Sequence, residues 1–346
     1  MDRERAARLA RERQQQLTKP AGSLGRLEVI AVQLAAIQRN PLPEARPAAA
    51  LIFAADHPVT AHSVSAYPQE VTRSMLGNLA RGGAAAAVLA RAVGVPLTVV
   101  DVGVAGTPEE TVSTPRHPVA DHLRGDLRND DAMSEETAAL AMNAGEETVA
   151  ALESGTRILM LGEIGIGNTT VAAAVAAALL GQEASALVGP GTGVDGKGLQ
   201  RKIAVVDDAL ARVARDGPTG PMEILRRLGG PDLAALVGAM RRARTLDMTV
   251  LVDGYSVSIA ALVACRAEPE LREHLVFSHR SAEPGHEIIL RELGAEPLLQ
   301  LGMRLGEATG ALTAFPLIEA ACLLHAQMAT FDEAAVPTAL PRTDPR

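Results

Sequence analysis

The chain has 346 residues, enough for one large core or for a core with a smaller satellite domain. Its net charge of -8 at pH 7 and its 2% aromatic content exclude the basic, ring-studded surface of a nucleic-acid binder, so small-molecule ligands are expected. No uncharged apolar run reaches membrane-spanning length and the N-terminal MDRERAARLARER is unlike a signal peptide, which predicts a cytoplasmic, membrane-free protein.

In chain order, Arg3 to Leu17 reads as a charged helix. The stretch TKPAGSLG (18–25) reads as a turn whose Ser23 caps a second helix running to about Gln38, with Leu27, Ile30, Leu34 and Ile37 at helical spacing. The rhythm then changes to strands alternating with helices. The strands are expected at Ala50 to Ala54, Leu97 to Val102, Arg157 to Leu161, Thr249 to Val252 and Leu275 to Ser278. That alternation, with abundant Ala, Leu, Val and Gly, predicts an α/β protein with a doubly wound parallel sheet. Thr111 to Asp131 reads as a long surface loop; its His117, Asp121 and His122 have no second ligand cluster at a suitable spacing, so no metal is expected. Cys265 and Cys322 fall in apolar helix-like stretches and read as buried thiols. The last dozen residues read as a loose tail.

Ligands of such sheets bind beyond the carboxyl ends of the strands. There the chain places AADHPVTAHSVSAYPQE, DVGVAG, GEIGIGNTT, DGYS and SHRSAEPGH, five segments expected to share one polar rim. The most informative is LGEIGIGNTT (Leu161 to Thr170), a strand-to-helix turn whose backbone N–H groups and helix end suit a phosphate or carboxylate; taken alone, its glycines are better accounted for by a merely tight turn. A second glycine-rich loop, Val188 to Gly198, precedes Arg201 and Lys202 and adds to the same cradle. Two nucleotide motifs nearly occur. GTGVDGK (Gly191 to Lys197) is followed by Gly198 where a P-loop needs Ser or Thr, and Gly165-Ile166-Gly167 lacks the third glycine of a dinucleotide fingerprint, so a mononucleotide phosphate fits better than ATP or NAD. Glu307, framed by Gly306 and Gly310, stands either as a helix-dipole partner or as a reactive carboxylate. Lys19, Asp56, His57, Asp101, Asp253 and His286 read equally as structural hydrogen-bonders or as chemical groups.

KPAGSLGRLE (Lys19 to Glu28), DHPVTAHSVSAYPQEVT (Asp56 to Thr72), LGEIGIGNTT, FSHRSAEPGH (Phe277 to His286) and MRLGEATGA (Met303 to Ala311) together resemble the nicotinate-nucleotide:dimethylbenzimidazole phosphoribosyltransferase family, in order from about Leu17 to Met328. The resemblance implies a homodimer with a Rossmann-like large α/β domain (41–309) and a small helical domain built from both termini (1–40 and 310–346). It implies transfer of the phosphoribosyl group of nicotinate mononucleotide to dimethylbenzimidazole or another benzimidazole-type base, with no metal and no cofactor. By the same resemblance Glu307 is the general base and Glu163 a second carboxylate of the site. The donor phosphate falls to Gly165, Gly167, Asn168, Thr169, Gly191, Thr192, Gly193 and Lys202, the nicotinate to Ser281, and the acceptor to Tyr67, Met75 and Leu305. Two residues depart from the family pattern: Pro58, where members often carry glycine, stiffens the loop toward the acceptor, and Asp126 adds a negative charge near a possible phosphate path. Both bear on acceptor choice and donor affinity rather than on the reaction class.

Overall fold

Five apolar runs form the strands β1 (Ala48–Ala55), β2 (Leu97–Gly103), β3 (Ile158–Ile164), β4 (Thr249–Val252) and β5 (Leu275–Phe277) of one parallel sheet, ordered β2-β1-β3-β4-β5. The computed structural model describes every residue except 107–113, 123, 192, 216, 218 and 338–346. All eight residues of β1 are buried, as expected for a strand covered on both faces. The helix Asn168–Leu180 is apolar around most of its circumference, with Thr170 to Ala177 all buried, which makes it a core element rather than a surface one.

The strand order reverses between β1 and β3, and register decides how far each strand end reaches toward the rim. Leu161 of β3 pairs with Val252, the last residue of β4, whereas the pairing of β3 with β1 continues to Ile164. Glu163 therefore overhangs the ends of β4 and β5. A one-residue change of register would turn its side chain to the other face of the sheet.

The chain divides into two compact units, Pro47–Ala314 and Met1–Arg46 with the chain from Phe315 on. Within the terminal unit, Asp2 caps the helix Arg3–Gln16 by accepting the Arg5 N–H at 2.8 Å. Arg13 Nε donates to the His325 carbonyl at 2.7 Å, and the Phe331 amide donates to the Gln16 carbonyl at 2.9 Å, tying the two chain ends together.

Several local expectations change. Ser23 does not cap the helix Arg26–Gln38; Gly25 occupies the cap, and the Glu28 carboxylate reaches back to accept the Leu24 N–H at 3.0 Å while pairing with Lys19 at 2.8 Å. The described part of the loop expected over Thr111 to Asp131 is anchored rather than loose: Val119, Ala120 and Leu127 are buried, and Asp131 meets Arg212, Arg226 and Arg227 at 2.7–2.9 Å. Burial raises the Asp131 pKa, but the three guanidinium groups outweigh it and hold the carboxyl at about 2. His117 and Asp121 in that loop contact Glu147 and Arg116. Cys265 and Cys322 are free thiols, pushed up to about 11 and about 12 by burial. The helix Thr309–Gln327 is long and apolar enough by composition to cross a membrane, yet it carries Glu319 and 56% of its apolar window is buried in the fold.

Candidate active site

Above the ends of β3, β4 and β5 lies a cavity of about 600 Å³, within the usual range for a small-molecule site. Its walls come from the segments following β1, β3, β4 and β5, from Gly191, and from Arg304 to Glu307. The segment after β2 is not among them. Asp101 there accepts the Gly103 and Val104 N–H groups at 3.0 and 2.8 Å and pairs with Arg116, a structural role.

Glu163 and Glu307 both face this cavity and are both 5% exposed. Burial is the main reason that the Glu163 carboxyl is pushed up to about 8; Asp232, Asp253 and Glu307 add to the rise, and a hydrogen bond from the Asn168 amide opposes it. Burial, then Asp253, pushes Glu307 up to about 7. Its Oε2 has no hydrogen-bond partner. Glu307 and Ala308 have φ of 58° and 59°, a left-handed pair held where the chain crosses β3, and the Glu307 amide donates to the Glu163 carbonyl at 3.3 Å. Gly162 makes this crossing possible, since a Cβ there would lie 2.3 Å from the Ala308 nitrogen. Strain of this kind at two successive non-glycine residues is typical of positions held for function.

Raised carboxyl pKa values carry a stability consequence. Between about pH 4.5 and 8 the folded protein retains a proton on Glu163 that the unfolded chain has released, so folding stability falls as pH rises through that window. Glu163→Gln is therefore expected to raise Tm more at pH 8 than at pH 5, as thermal melts at the two pH values will show; equal shifts would mean that Glu163 is not held protonated.

The turn after β3 is built against β1. A Cβ at Gly165 would lie 2.0 Å from the Ala55 carbonyl oxygen, and Gly167, at φ 97°, is the N-cap of the helix Asn168–Leu180. Its amides are less free than the motif suggests: those of Ile166, Asn168 and Thr169 donate to Thr72 Oγ1, the Gly165 carbonyl and Asn168 Oδ1. Gly165, Asn168, Thr169 and Gly191 line the cavity, whereas Gly167 and Gly193 lie outside its wall and Thr192 lies outside the described residues. Lys202 is also behind the wall. Its buried ammonium donates to Thr169 Oγ1 at 3.0 Å and to the Gly189 carbonyl at 2.9 Å, bracing the two glycine turns, and burial lowers its pKa to about 8. Arg304 is the Lys or Arg side chain that lines the cavity among the described residues, and it donates to the Gly191 carbonyl.

Ser281 lines the cavity, its backbone held by His286, whose Nδ1 accepts the Ser281 N–H at 2.9 Å. The opposite nitrogen, Nε2, sits 2.9 Å from Ser258 Oγ, and burial lowers the His286 pKa to about 3, so the ring is neutral with its proton on Nε2. Tyr67, Met75 and Leu305 form an apolar side of the mouth, with Tyr67 and Leu305 about half exposed at 51% and 55%. Pro58 and Asp126 stand apart: Pro58 begins a short 3-10 turn beside Asp56, and Asp126 bonds His62 at 2.6 Å.

Three wall residues, His279, Glu283 and Arg304, are not singled out by the motifs, and Asp253 is left open there between a structural and a chemical role. Asp253 directly follows β4, and its Oδ1 is 3.9 Å from the ring Nε2 of His279, while His279, Glu283 and Arg304 lie inside the distinctive strings without being glycine-framed. Asp253 accepts the Ala311 N–H at 3.0 Å and is thereby tied to the start of the helix Thr309–Gln327. Position directly after a strand is the available signal for Asp253, and position in the segment after β5 for His279.

A family model described as phosphoribosyltransferase matches residues 2–336. The nicotinate-nucleotide–dimethylbenzimidazole phosphoribosyltransferase of Pseudomonas aeruginosa (strain LESB58) is 51% identical over 330 residues, covering 95% of this chain and 93% of that protein. The protein of the same description from Azotobacter vinelandii is 50% identical, covering 96% and 95%. Among solved structures, CobT from Thermus thermophilus superposes with a TM-score of 0.90 at 43% identity, covering 97% of this chain and 100% of the other.

Proposed function

Since the chain belongs to the nicotinate-nucleotide–dimethylbenzimidazole phosphoribosyltransferase family, we propose that it moves the phosphoribosyl group of nicotinate mononucleotide onto dimethylbenzimidazole, releasing nicotinate and forming α-ribazole phosphate. The observation that carries the reading is the Glu307 carboxyl, buried in the cavity wall, with a free Oε2 and a pKa of about 7.

The chemistry needs one proton acceptor. The nicotinate ring leaves as a pyridinium, taking the bond electrons and requiring no proton. The benzimidazole attacks through its unprotonated nitrogen and becomes cationic, which acidifies its other N–H enough for a carboxylate to remove it. Glu307 collects that proton. Glu163, kept protonated near neutral pH, stays uncharged beside it and avoids a second buried anion. Holding donor and acceptor on opposite faces of the ribose supplies further rate through orientation, and the ionised Glu307 supports the oxocarbenium character of the sugar.

Donor and acceptor divide the cavity. Arg304 and the turns at Gly165 to Thr169 and Gly191 to Gly193 hold the phosphate, with Lys202 bracing both turns from behind, and Ser281 lies beside the nicotinate ring. Tyr67, Met75 and Leu305 give a flat heterocycle its apolar walls. Half-exposed Tyr67 and Leu305 at the mouth suit coverage by a second copy in a homodimer, and the working compartment of such a biosynthetic enzyme is the cytoplasm.

The direct test is to incubate the protein with nicotinate mononucleotide and a panel of benzimidazole, purine and phenol acceptors while following nicotinate release and product mass. Turnover is expected with dimethylbenzimidazole; tight donor binding without turnover on any acceptor would leave a nucleotide-binding protein instead. Because Glu307 must be ionised to act, kcat/KM is expected to rise with pH through a midpoint of about 7. A profile already flat from about pH 5 upward would remove Glu307 from the proton transfer.

A further inference from the structure

Asp253 is a buried carboxylate to which the proton transfer gives no part, yet the segment carrying Glu307 is built on it. It is 1% exposed and lines the cavity directly after β4, and its own carbonyl accepts the Ser278 hydroxyl at 2.9 Å, so its place is fixed by β4 and by the residue after β5. The backbone N–H groups of residues 307 to 311 show what it holds. That of Glu307 donates to the Glu163 carbonyl at 3.3 Å and that of Thr309 to the Gly306 carbonyl at 3.0 Å. Those of Ala308, Gly310 and Ala311 donate to Asp253, the last of them to Oδ1 at 3.0 Å. Gly310 makes the approach possible, since a Cβ there would lie 2.8 Å from Asp253 Oδ1 and 2.0 Å from His279 Cδ2.

Gly310 and Ala311 open the helix Thr309–Gln327, where backbone N–H groups have no partner within the helix itself. An aspartate 58 residues from Ala311 in the chain supplies one, and a carboxylate at that end is favoured by the helix dipole. The same contact bears on Glu307. Left-handed φ values of 58° and 59° at Glu307 and Ala308 are disfavoured for residues with a Cβ and persist where neighbours fix them. The Glu163 carbonyl holds the first amide of that pair, and Asp253 holds the second together with two of the three that follow. Burial raises the Asp253 pKa; His279, with Nε2 at 3.9 Å, and the three amides work against that rise and favour the ionised form. The other titratable or charged groups on the cavity wall near this turn are Tyr67, Glu163, Tyr255, His279, Glu283 and Arg304, and after burial it is Asp253 that pushes Glu307 up.

We propose that Asp253 is a positioning residue for the transfer: it clamps the left-handed turn that presents the Glu307 carboxylate to the acceptor, and its negative charge makes that carboxylate a stronger base. The assignment rests on Glu307 being the proton acceptor of the reaction. A cap that served the helix alone would hold the fold and leave the proton affinity of Glu307 untouched, and that difference can be measured.

The test follows nicotinate release with dimethylbenzimidazole as a function of pH for the wild-type protein, Asp253→Asn and Asp253→Ala. Asp253→Asn keeps one acceptor oxygen and removes the charge. Without a like charge beside it Glu307 ionises sooner, so the kcat/KM midpoint should move down from about 7 by roughly one pH unit. Asp253→Ala removes the acceptor oxygens as well; as the turn loosens, kcat should fall by about 10- to 100-fold while the calorimetric Kd for nicotinate mononucleotide stays within about threefold of wild type. An unmoved midpoint in Asp253→Asn, or a kcat within about twofold of wild type in Asp253→Ala, overturns the assignment. If the alanine variant does not fold, the asparagine variant decides alone. The Glu307 carboxyl is also titrated without substrate, by NMR on protein labelled at its glutamate carboxyl carbons, its signal being the one lost in Glu307→Gln. Turnover together with an unmoved Glu307 titration in Asp253→Asn sinks the Asp253 assignment alone; no turnover by the wild-type protein on any acceptor, with that titration still lowered, sinks the transferase reading and upholds the action of Asp253 on Glu307.

Discussion

Glu307→Gln is expected to lower kcat by about 10²- to 10⁴-fold, the usual contribution of a positioned general base, while the Kd for nicotinate mononucleotide stays within about twofold of wild type. The substitution keeps the side-chain volume and the left-handed backbone at φ 58°, so the crossing over β3 and the Glu307–Glu163 main-chain bond at 3.3 Å should survive. What disappears is the proton acceptor. Burial holds the Glu307 pKa up at about 7, so above that pH the ionised carboxylate opposes folding, and the neutral amide should leave the variant no less stable than the parent there. Rapid-mix measurement of nicotinate release, with a parallel thermal melt and donor titration, distinguishes lost chemistry from lost fold. Near wild-type turnover would pass the proton to Glu163 or to water.

Gly165→Ala should be the most damaging single methyl in the molecule's active region. The added Cβ would come 2.0 Å from the Ala55 carbonyl oxygen and 3.1 Å from His57 Nε2. Neither neighbour yields easily: Ala55 is fully buried at the end of β1, and His57 is buried against Asp232 at 3.2 Å. The turn must therefore move by roughly 1 Å to reach ordinary contact, and displacement of that size in a positioning element costs about 100-fold in kcat/KM. Overpacking of this kind is also expected to cost about 1–3 kcal/mol of stability. Donor titration and steady-state kinetics check the first figure, and denaturant melts the second. A variant with donor affinity and kcat/KM within about threefold of wild type would show that the turn does not form part of the site.

How far the sequence reveals this site depends on whether a signal is local. The strands were legible because each is a short apolar run ending at a turn, and a parallel strand buried on both faces has that pattern from its own residues alone. Asp2 as a cap, by contrast, carries no signal that sets it apart in the sequence, and Ser23 reads as the cap of the next helix although Gly25 occupies that place with no side-chain cap. Lys202 had a basic side chain in the right segment, yet its ammonium supports the two glycine turns from behind, and Arg304 takes the place on the cavity wall.

The order of the residues by itself determined the alternation of strands and helices, the parallel sheet that this alternation entails, and the family with its reaction class, because periodicity and contiguous motifs are properties of neighbouring positions. Only the tertiary structure decided that Glu163 overhangs β4, that burial pushes the Glu307 and Glu163 carboxyls up to about 7 and about 8, and that Lys202 sits behind the cavity wall while Arg304 lines it. Register, burial and electric field are sums over groups far apart in the chain, and they take a value once those groups have been brought together.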